Sequence, residues 1–354
     1  MKKNIIKCVV GIITAAFLSL SVLAEDSLLR ADHPDNYTVK KGDTLWDIAS
    51  TFLNSPWKWP EIWQANPQIE NPHLIFPGDL IKLFYMDGQP RITSERTLKL
   101  VPGEGGLNAD GKLSPKVRVQ QNSDAISTIP LDRINSFLSR SQVVEAADLK
   151  NAPYLLAGPQ KRIVVGAGDT AYARGNFSQD LTNYGVYRQG EVFVDPKTKE
   201  VLGVHALGVG SVSVQSFKGD VATVGVIRAN EEIRIGDRLL LSEDRPMTST
   251  FYPSSPEGDI QGTIIAVEGG VTQVGKFNVV MVNLGEREGI KVGNVLAIYK
   301  KGELVTDRVS GGKVALPDER AGLLMVFRTF KKMSFGLVLE ADRQLSVGDL
   351  TLTP

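Results

Sequence analysis

The residues that could act as nucleophiles or metal ligands are few and widely separated in this chain. The one cysteine, Cys8, lies in an apolar N-terminal stretch, and the three histidines are His33, His73 and His205. A thiol hydrolase needs a cysteine beside a base, and a zinc site needs clustered ligands. No G-x-S-x-G string marks a serine nucleophile. The sequence therefore predicts no catalytic residue, no metal site and no cofactor.

Carboxylates are the remaining candidates for catalysis, because a glycosidase needs only two of them. The chain has 40 acidic residues, so counting does not decide against this chemistry. Five of them stand beside turn residues or charged neighbours: Asp195, Glu200, Asp237, Asp318 and Glu319. Solvated turn chemistry is the favoured interpretation of these five, and a glycan-cleaving enzyme stays open as an alternative.

The tryptophans are concentrated in one short segment. All four fall between Tyr37 and Phe84: Trp46, Trp57, Trp59 and Trp63. Such density suits stacking on sugar rings, but a small module also needs bulky side chains in its core. We therefore expect at most one or two of them to contact a ligand.

The elements that must position this segment follow the order strand, helix, helix, strand. Thr44, with Asp47 three positions later, fits the pattern of a helix start. The apolar residues that follow recur at helical spacing: Leu45, Ile48, Ala49 and Phe52. Pro60 suits the first turn of a second helix, and the Pro-Gly-Asp sequence at 77–79 predicts a turn into the closing strand.

Residues 37–49, 66–67 and 75–79 together resemble the LysM family, and the resemblance covers residues 37–84. It implies binding to peptidoglycan, a glycan that contains N-acetylglucosamine, in a shallow cleft between the loop entering the first helix and the loop leaving the second. The glycan-binding residues predicted in this way are Gly42, Asp43, Thr44, Leu45, Asn71, Pro72, His73, Leu74, Ile75 and Phe76. Because the glycan backbone is largely neutral, hydrogen bonds to its acetamido groups and apolar contacts are expected to dominate.

Residues 1–24 are typical of a signal peptide, with Lys2 and Lys3 before an apolar run and small residues at Val22 and Ala24. The run is shorter than the roughly 20 apolar residues that a bilayer span needs. We expect an exported chain without a transmembrane segment after cleavage. The 40 basic and 40 acidic residues give no net charge, which does not indicate nucleic acid as a partner.

The residue composition changes after the tryptophan-rich segment. Residues 85–115 are crowded with glycine and proline and predict a linker. In residues 116–354, short β-rich runs alternate with turn residues, and a helix is predicted only around residues 136–150. The predicted fold class is α+β, with a small βααβ module followed by a mostly β C-terminal region.

A weak internal repeat occurs in the β-rich region. Residues 227–239 and 339–351 both carry an alanine followed seven positions later by a Gly-Asp pair, and residues 282–296 hold a looser copy. Glycine followed by Asp or Asn is also a common hairpin turn. The sequence leaves open whether these copies reflect a true duplication.

Three longer strings, at 184–188, 195–203 and 316–328, resemble the type IV pilus secretin-associated protein (TsaP) family. That family pairs an N-terminal LysM with a region similar to the C-terminal domain of the flagellar assembly protein FlgT. The resemblance implies a non-catalytic periplasmic scaffold, near the outer membrane, that anchors a secretin ring to peptidoglycan. Two alternatives stay open: a scaffold for the flagellar basal body or general envelope integrity, and a cell-wall hydrolase targeted by its LysM.

Overall fold

The structure of this chain is a computed structural model. The structure describes residues 28–63, 75–95, 100–102, 117–119, 126–178, 182–241, 251–270 and 273–354. The predicted signal peptide lies outside these residues.

The N-terminal module combines two short helices with a three-stranded antiparallel sheet. The elements are β1 (Asn36–Thr38), α1 (Leu45–Phe52), α2 (Trp59–Trp63), β2 (Leu80–Met86) and β3 (Gln89–Glu95), and a single helical turn at Pro56–Lys58 precedes α2. β2 lies between β1 and β3 in the sheet. Strand β3 and the end of β2 fall in the stretch from which the sequence predicts a linker.

The amphipathic pattern of α1 explains how the module is held together. Leu45, Ile48 and Phe52 are buried with α2 and with Ile81 of the central strand. Because these apolar residues repeat at helical spacing, they fall on one face of α1, and that face must cover the sheet. The same core includes Ile126, which is far away in the sequence.

Four strands and two helices connect this module to the rest of the described chain. Their bounds are β4 (Leu100–Pro102), β5 (Val117–Val119), α3 (Leu131–Arg140), β6 (Ser141–Val144), α4 (Ala146–Asn151) and β7 (Tyr154–Ala157). The single helix predicted around residues 136–150 is therefore two helices with a strand between them. The longest described helix, α3, has 10 residues. Within the described part of the chain, no helix has the length and apolar character needed to cross a membrane.

A first β-barrel follows these connecting elements. It includes β7, and the other strands of this region are β8 (Val164–Val165), β9 (Thr170–Arg174), β10 (Asn183–Val194), β11 (Val201–Lys218), β12 (Val221–Ala229), β13 (Ile233–Arg234) and β14 (Arg238–Leu241). The strands pair in the order β10-β14-β7-β9-β12-β11, and β10 also pairs with β11, which closes the ring. β6 pairs with β11, and β8 pairs with β13.

The second barrel has six strands in the order β15-β17-β22-β21-β18-β24, and pairing of β24 with β15 closes it. The strands from residue 261 onward are β15 (Gln261–Val267), β16 (Gln273–Val274), β17 (Val279–Val282), β18 (Val295–Lys300), β19 (Leu304–Thr306), β20 (Lys313–Ala315), β21 (Glu319–Thr329), β22 (Ser334–Ala341), β23 (Leu345–Ser346) and β24 (Leu350–Leu352). β16 pairs with β23 outside the ring, as β8 pairs with β13 in the first barrel. The hairpin β19–β20 has no counterpart among the described strands of the first barrel.

The two barrels have the same topology, and the sequence repeat lies at the same place in both. Leu155 donates its N–H to the carbonyl of Asp237 at 2.9 Å, and Ile264 makes the matching bond to Asp349 at 3.0 Å. Each aspartate also accepts a backbone N–H from three residues earlier. The looser copy occupies a different position, between β17 and β18. The two close copies therefore belong to a duplicated structural unit.

The outer face of the second barrel is buried as well as its interior. Leu324 and Val326 of β21 point into the barrel core, whereas Leu323, Met325 and Phe327 pack with α3 and with Trp46 and Trp57 of the N-terminal module. Strands buried on both faces have continuous apolar runs, whereas strands with one solvent-exposed face alternate apolar and polar residues. This face joins the module to the barrel.

The predicted α+β fold class is wrong, because the described chain is mostly β with a closed six-stranded barrel. The two helices of the module are short, and the strands of the two barrels outnumber them. A βααβ pattern at one end of a chain does not set the class of the whole, since the class depends on what fills the larger cores.

Candidate functional site

Hydrogen bonds within the turn hold the backbone that leads into α1. Gly42 has φ +96°, a backbone conformation that favours glycine. The Asp43 carboxylate accepts a 2.8 Å hydrogen bond from the backbone of Lys40 and another from the hydroxyl of Tyr37. Burial, aided by the Asp43 carboxylate, raises the pKa of Tyr37 to about 12. Asp43 thus organises the turn with both of these bonds.

Thr44 caps helix α1 through a reciprocal pair of bonds. Its hydroxyl accepts the N–H of Asp47 at 3.2 Å, and the Asp47 carboxylate accepts the N–H of Thr44 at 3.2 Å. The Thr44 hydroxyl also donates to that carboxylate at 2.7 Å. A side-chain cap of this kind leaves the N–H groups of the first two helical residues, Leu45 and Trp46, without a partner in the helix.

Those two N–H groups find their partners in a segment far along the chain. Leu45 donates to the carbonyl of Ser127 at 3.0 Å, and Trp46 donates to the carbonyl of Thr128 at 3.2 Å. On the other side, Ile126 donates its N–H to the carbonyl of Ile75 at 2.9 Å. The loop before α1 and the loop before β2 therefore form the two walls of one groove.

Comparison with known families identifies the module that carries this groove. The LysM domain family matches residues 37–84. Residues 37–84 form a LysM domain. A LysM domain is a binding, non-catalytic domain, and its presence indicates binding to peptidoglycan or a related carbohydrate and association with the cell wall.

A curated relative is similar to a short stretch of the chain. The chain is 45% identical over 60 residues to "Uncharacterized protein YqbP" of Bacillus subtilis (strain 168). The match covers 14% of this chain and 27% of the relative. The resemblance of the β-rich region to the secretin-associated family stays a prediction.

The structure describes six of the ten predicted glycan-binding residues of the LysM domain, and Asn71, Pro72, His73 and Leu74 lie outside the described residues. Gly42, Asp43, Thr44 and Leu45 lie in the loop before α1 and at its start, and Ile75 and Phe76 lie in the loop before β2; of these six, Leu45 and Ile75 bond to residues 126–128. The Leu45 and Ile75 side chains are buried in the domain core, so their backbone groups are what they offer to the groove. Their assignment as glycan ligands stays a prediction.

Sequence reasoning missed two features of the groove. The first is the backbone of Trp46, which supplies the second N–H donor. The second is the occupying segment at Ile126, Ser127 and Thr128. A helix cap in the sequence does signal that nearby N–H groups need partners, but no local pattern tells which distant segment provides them.

All four tryptophans of the LysM domain are buried. The most exposed, Trp57, retains 7% of its surface and faces the guanidinium of Arg320 at 5.7 Å. Trp46 packs with Trp57 against the second barrel, and Trp59 stacks edge-on to Trp63. None of the four has the exposed ring face in this state that stacking on a sugar would need.

The carboxylates considered for catalysis hold turns or pair with cations. Asp195 accepts the N–H groups of Lys197 and Thr198 and the side-chain amide of Asn283. The Thr198 backbone bond and the Asn283 bond hold the pKa of Asp195 at about 2. The other four are bound as follows: Glu200 by Arg287 and Lys332, Asp237 by Arg188, Asp318 by the backbone of Gly302, and Glu319 by Arg343.

The histidines do not form a cluster within the described part of the chain. His33 contacts the carbonyl of Pro34, and His205 is partly buried beside Phe193. Burial lowers the pKa of His205. Among the residues that the structure describes, no group of three histidine, cysteine or acidic side chains could hold a metal ion.

Proposed function

We propose that this protein is a non-catalytic scaffold of the cell envelope that holds the glycan strands of peptidoglycan in its LysM groove. One observation carries the proposal: the N–H groups of Leu45 and Trp46 and the carbonyl of Ile75 converge on the same amide-bearing segment. An acetamido group also offers an amide carbonyl and an amide N–H. Two N–H donors and one acceptor therefore suit a chain of N-acetylated sugars.

The chemistry of the groove fits a neutral polymer. The side chains of Leu45, Trp46 and Ile75 are buried behind these backbone groups, so the amide bonds would form beside apolar cores. Hydrogen bonds gain strength in such surroundings, and a site that leaves its polar groups unpaired is unfavourable. Sugars that lack the acetamido group would leave these groove amides unsatisfied.

The first experiment compares two soluble competitors for binding to insoluble peptidoglycan sacculi. The chain from residue 25 onward is mixed with sacculi in the presence of a pentamer of N-acetylglucosamine or a pentamer of glucose with the same linkage. We expect only the acetylated pentamer to release the protein into solution. Equal release by both, or no binding to sacculi at all, would contradict the proposal.

The same sacculi assay addresses catalysis. A scaffold leaves the glycan intact, so no soluble muropeptides are expected after prolonged incubation. Release of muropeptides by the purified chain would favour the hydrolase alternative instead.

We further propose that the β-rich region docks on a secretin ring of a type IV pilus, so that the LysM domain ties the ring to the wall. The support is the resemblance of residues 184–188, 195–203 and 316–328 to the secretin-associated family. Binding through one small domain is expected to be weak, and several copies on one ring would raise the effective affinity by roughly 10² to 10⁴.

Co-purification with the secretin is the test of this partner. A shared complex, together with impaired secretin assembly after deletion, is the expected result. Loss of swimming with intact twitching would favour a flagellar scaffold, and unchanged secretin assembly would remove the pilus assignment.

A further inference from the structure

The LysM groove is occupied by the protein's own chain. Residues 126–128 make three backbone hydrogen bonds with it, two from the N-terminus of α1 and one to Ile75. Ile126 and Thr128 keep only 7% and 1% of their surfaces exposed. The predicted glycan site is therefore filled in this state.

The segment presents the same groups to the groove that an N-acetylated glycan would present. The carbonyls of Ser127 and Thr128 accept the hydrogen bonds that two acetamido oxygens would accept, and the N–H of Ile126 donates the bond that an acetamido N–H would donate. Peptide and acetamido groups are both secondary amides, with one donor and one acceptor. Segment and glycan cannot satisfy the same three groove groups at the same time.

The occupying segment is attached to the second barrel. Ile129 is fully buried with Trp46 and Trp57, and α3 begins two residues later. At the end of α3, Arg328 of β21 donates to the carbonyl of Phe137 at 2.6 Å. A change at the barrel face can therefore reach the groove through one short helix.

The bound segment contains a buried hydroxyl without a hydrogen-bond partner among the described residues. The Thr128 hydroxyl is buried, and it has no hydrogen-bond partner within the part of the chain that the structure describes. A buried hydroxyl without a partner disfavours the state that buries it. The unpaired Thr128 hydroxyl lowers the free energy needed to release the segment, which suits an occupant that must leave.

We infer that residues 126–130 are an autoinhibitory segment, which competes with glycan for the LysM groove. This inference rests on the proposed function of the groove. Glycan binding requires the segment to move out, and the apparent affinity falls with the fraction of molecules in which the groove is open. Docking of a partner on the barrel face that holds α3 would change that fraction.

Two substitutions in the full chain should shift glycan affinity in opposite directions. Ile126→Ala weakens the packing of the segment and should tighten binding of the N-acetylglucosamine pentamer by roughly tenfold, as expected if the groove is open in about a tenth of the wild-type molecules. Thr128→Val removes the unpartnered hydroxyl, stabilises the closed state and should weaken binding several-fold. Calorimetric titration with the pentamer measures both affinities.

Matched controls place the same substitutions at exposed sites. Ile163 and Thr306 are exposed on the first barrel and on strand β19, so Ile163→Ala and Thr306→Val should leave the affinity unchanged. Equal affinities for all five proteins would overturn the autoinhibition and leave the proposed function standing. If no protein binds the pentamer, the proposed function fails together with the inference.

Hydrogen exchange on the unmodified chain provides a test that does not depend on folding of a variant. Adding the pentamer should speed exchange of the Ile126 amide, which loses its bond to Ile75, while the Leu45 and Trp46 amides stay protected by the glycan. Unchanged protection of Ile126 at saturating pentamer would show that the segment is a permanent part of the fold, and the inference would be wrong.

Discussion

The side-chain amide of Asn283 donates a 2.6 Å hydrogen bond to the carboxylate of Asp195, across the boundary between the two barrels. Asp195 lies in the turn between β10 and β11, and Asn283 directly follows β17. Glu200 in the same turn pairs with Arg287 and Lys332 of the second barrel. These bonds connect the β10–β11 hairpin of the first barrel to the second barrel.

The first prediction concerns pH and Asp195. Its pKa is lowered from 3.8 to about 2 in the folded protein, so the unfolded state binds the proton more readily. The stabilisation is complete above about pH 4 and is lost as the pH falls towards 2. Asp195→Asn should reduce the free energy of unfolding by about 1 to 2 kcal/mol at pH 7.

Chemical denaturation of both proteins at pH 7, 4 and 2 checks this, because the difference should shrink almost to zero at the lowest pH. Asp259→Asn, at an exposed position, serves as the control. A difference that stays constant with pH would mean that the charge of Asp195 has no such role.

The second prediction concerns the cap of α1. Thr44→Ala removes the hydroxyl that accepts the Asp47 N–H and should reduce the free energy of unfolding by about 1 kcal/mol. Thr44→Ser keeps the hydroxyl and should behave nearly like the wild type. Denaturation midpoints compare the three proteins, and equal losses for Ala and Ser would point to packing of the Thr44 methyl group instead of capping.

The third prediction follows from the duplicated barrels. Gly236 and Gly348 hold equivalent turns with φ +93° and +100°, and neither has an atom within 4 Å of an added Cβ. Substitution by alanine should therefore reduce the free energy of unfolding only through backbone strain, by about 1 to 2 kcal/mol each. Asn tolerates this conformation better, so Gly→Asn should be milder at both sites.

The double alanine variant extends this test. The two glycines lie in different barrels, so their effects on the free energy of unfolding should add. Thermal unfolding of the two single variants and the double variant measures this. A loss at only one of the two sites would show that the repeats are not energetically equivalent.

The fourth prediction concerns the helix that joins the LysM domain to the second barrel. Phe137 of α3 packs edge-on against Phe327 and Phe335, with ring centroids 6.3 and 5.8 Å apart. Phe137→Ala should reduce the free energy of unfolding by about 3 to 5 kcal/mol. Arg133→Ala, on an exposed part of the same helix, should change it by less than about 0.5 kcal/mol.

Denaturant unfolding followed by tryptophan fluorescence measures both α3 variants. The tryptophans report on the LysM domain, because all four belong to it. Similar losses for Phe137→Ala and Arg133→Ala would mean that the helix does not depend on this aromatic contact.

The sequence by itself determined the local architecture of the LysM domain. The Thr44 and Asp47 cap, the apolar stripe of α1 and the turn before β2 all depend on groups within three or four residues of each other. Such interactions can be recognised in a linear pattern. The mostly β character of the later region and the position of its repeat were also visible, because turn residues recur there at regular intervals.

The tertiary structure alone decided how these parts combine. The fold class was misjudged because the two short helices of the LysM domain were given too much weight against a β-rich region, whose closure into barrels depends on pairing of remote strands such as β10 with β14. The occupant of the groove was invisible because Ser127 reaches Leu45 across about 80 residues of chain, and a backbone carbonyl carries no sequence signature. Pairing between remote backbone groups is set by the packing of whole domains, which no local pattern specifies.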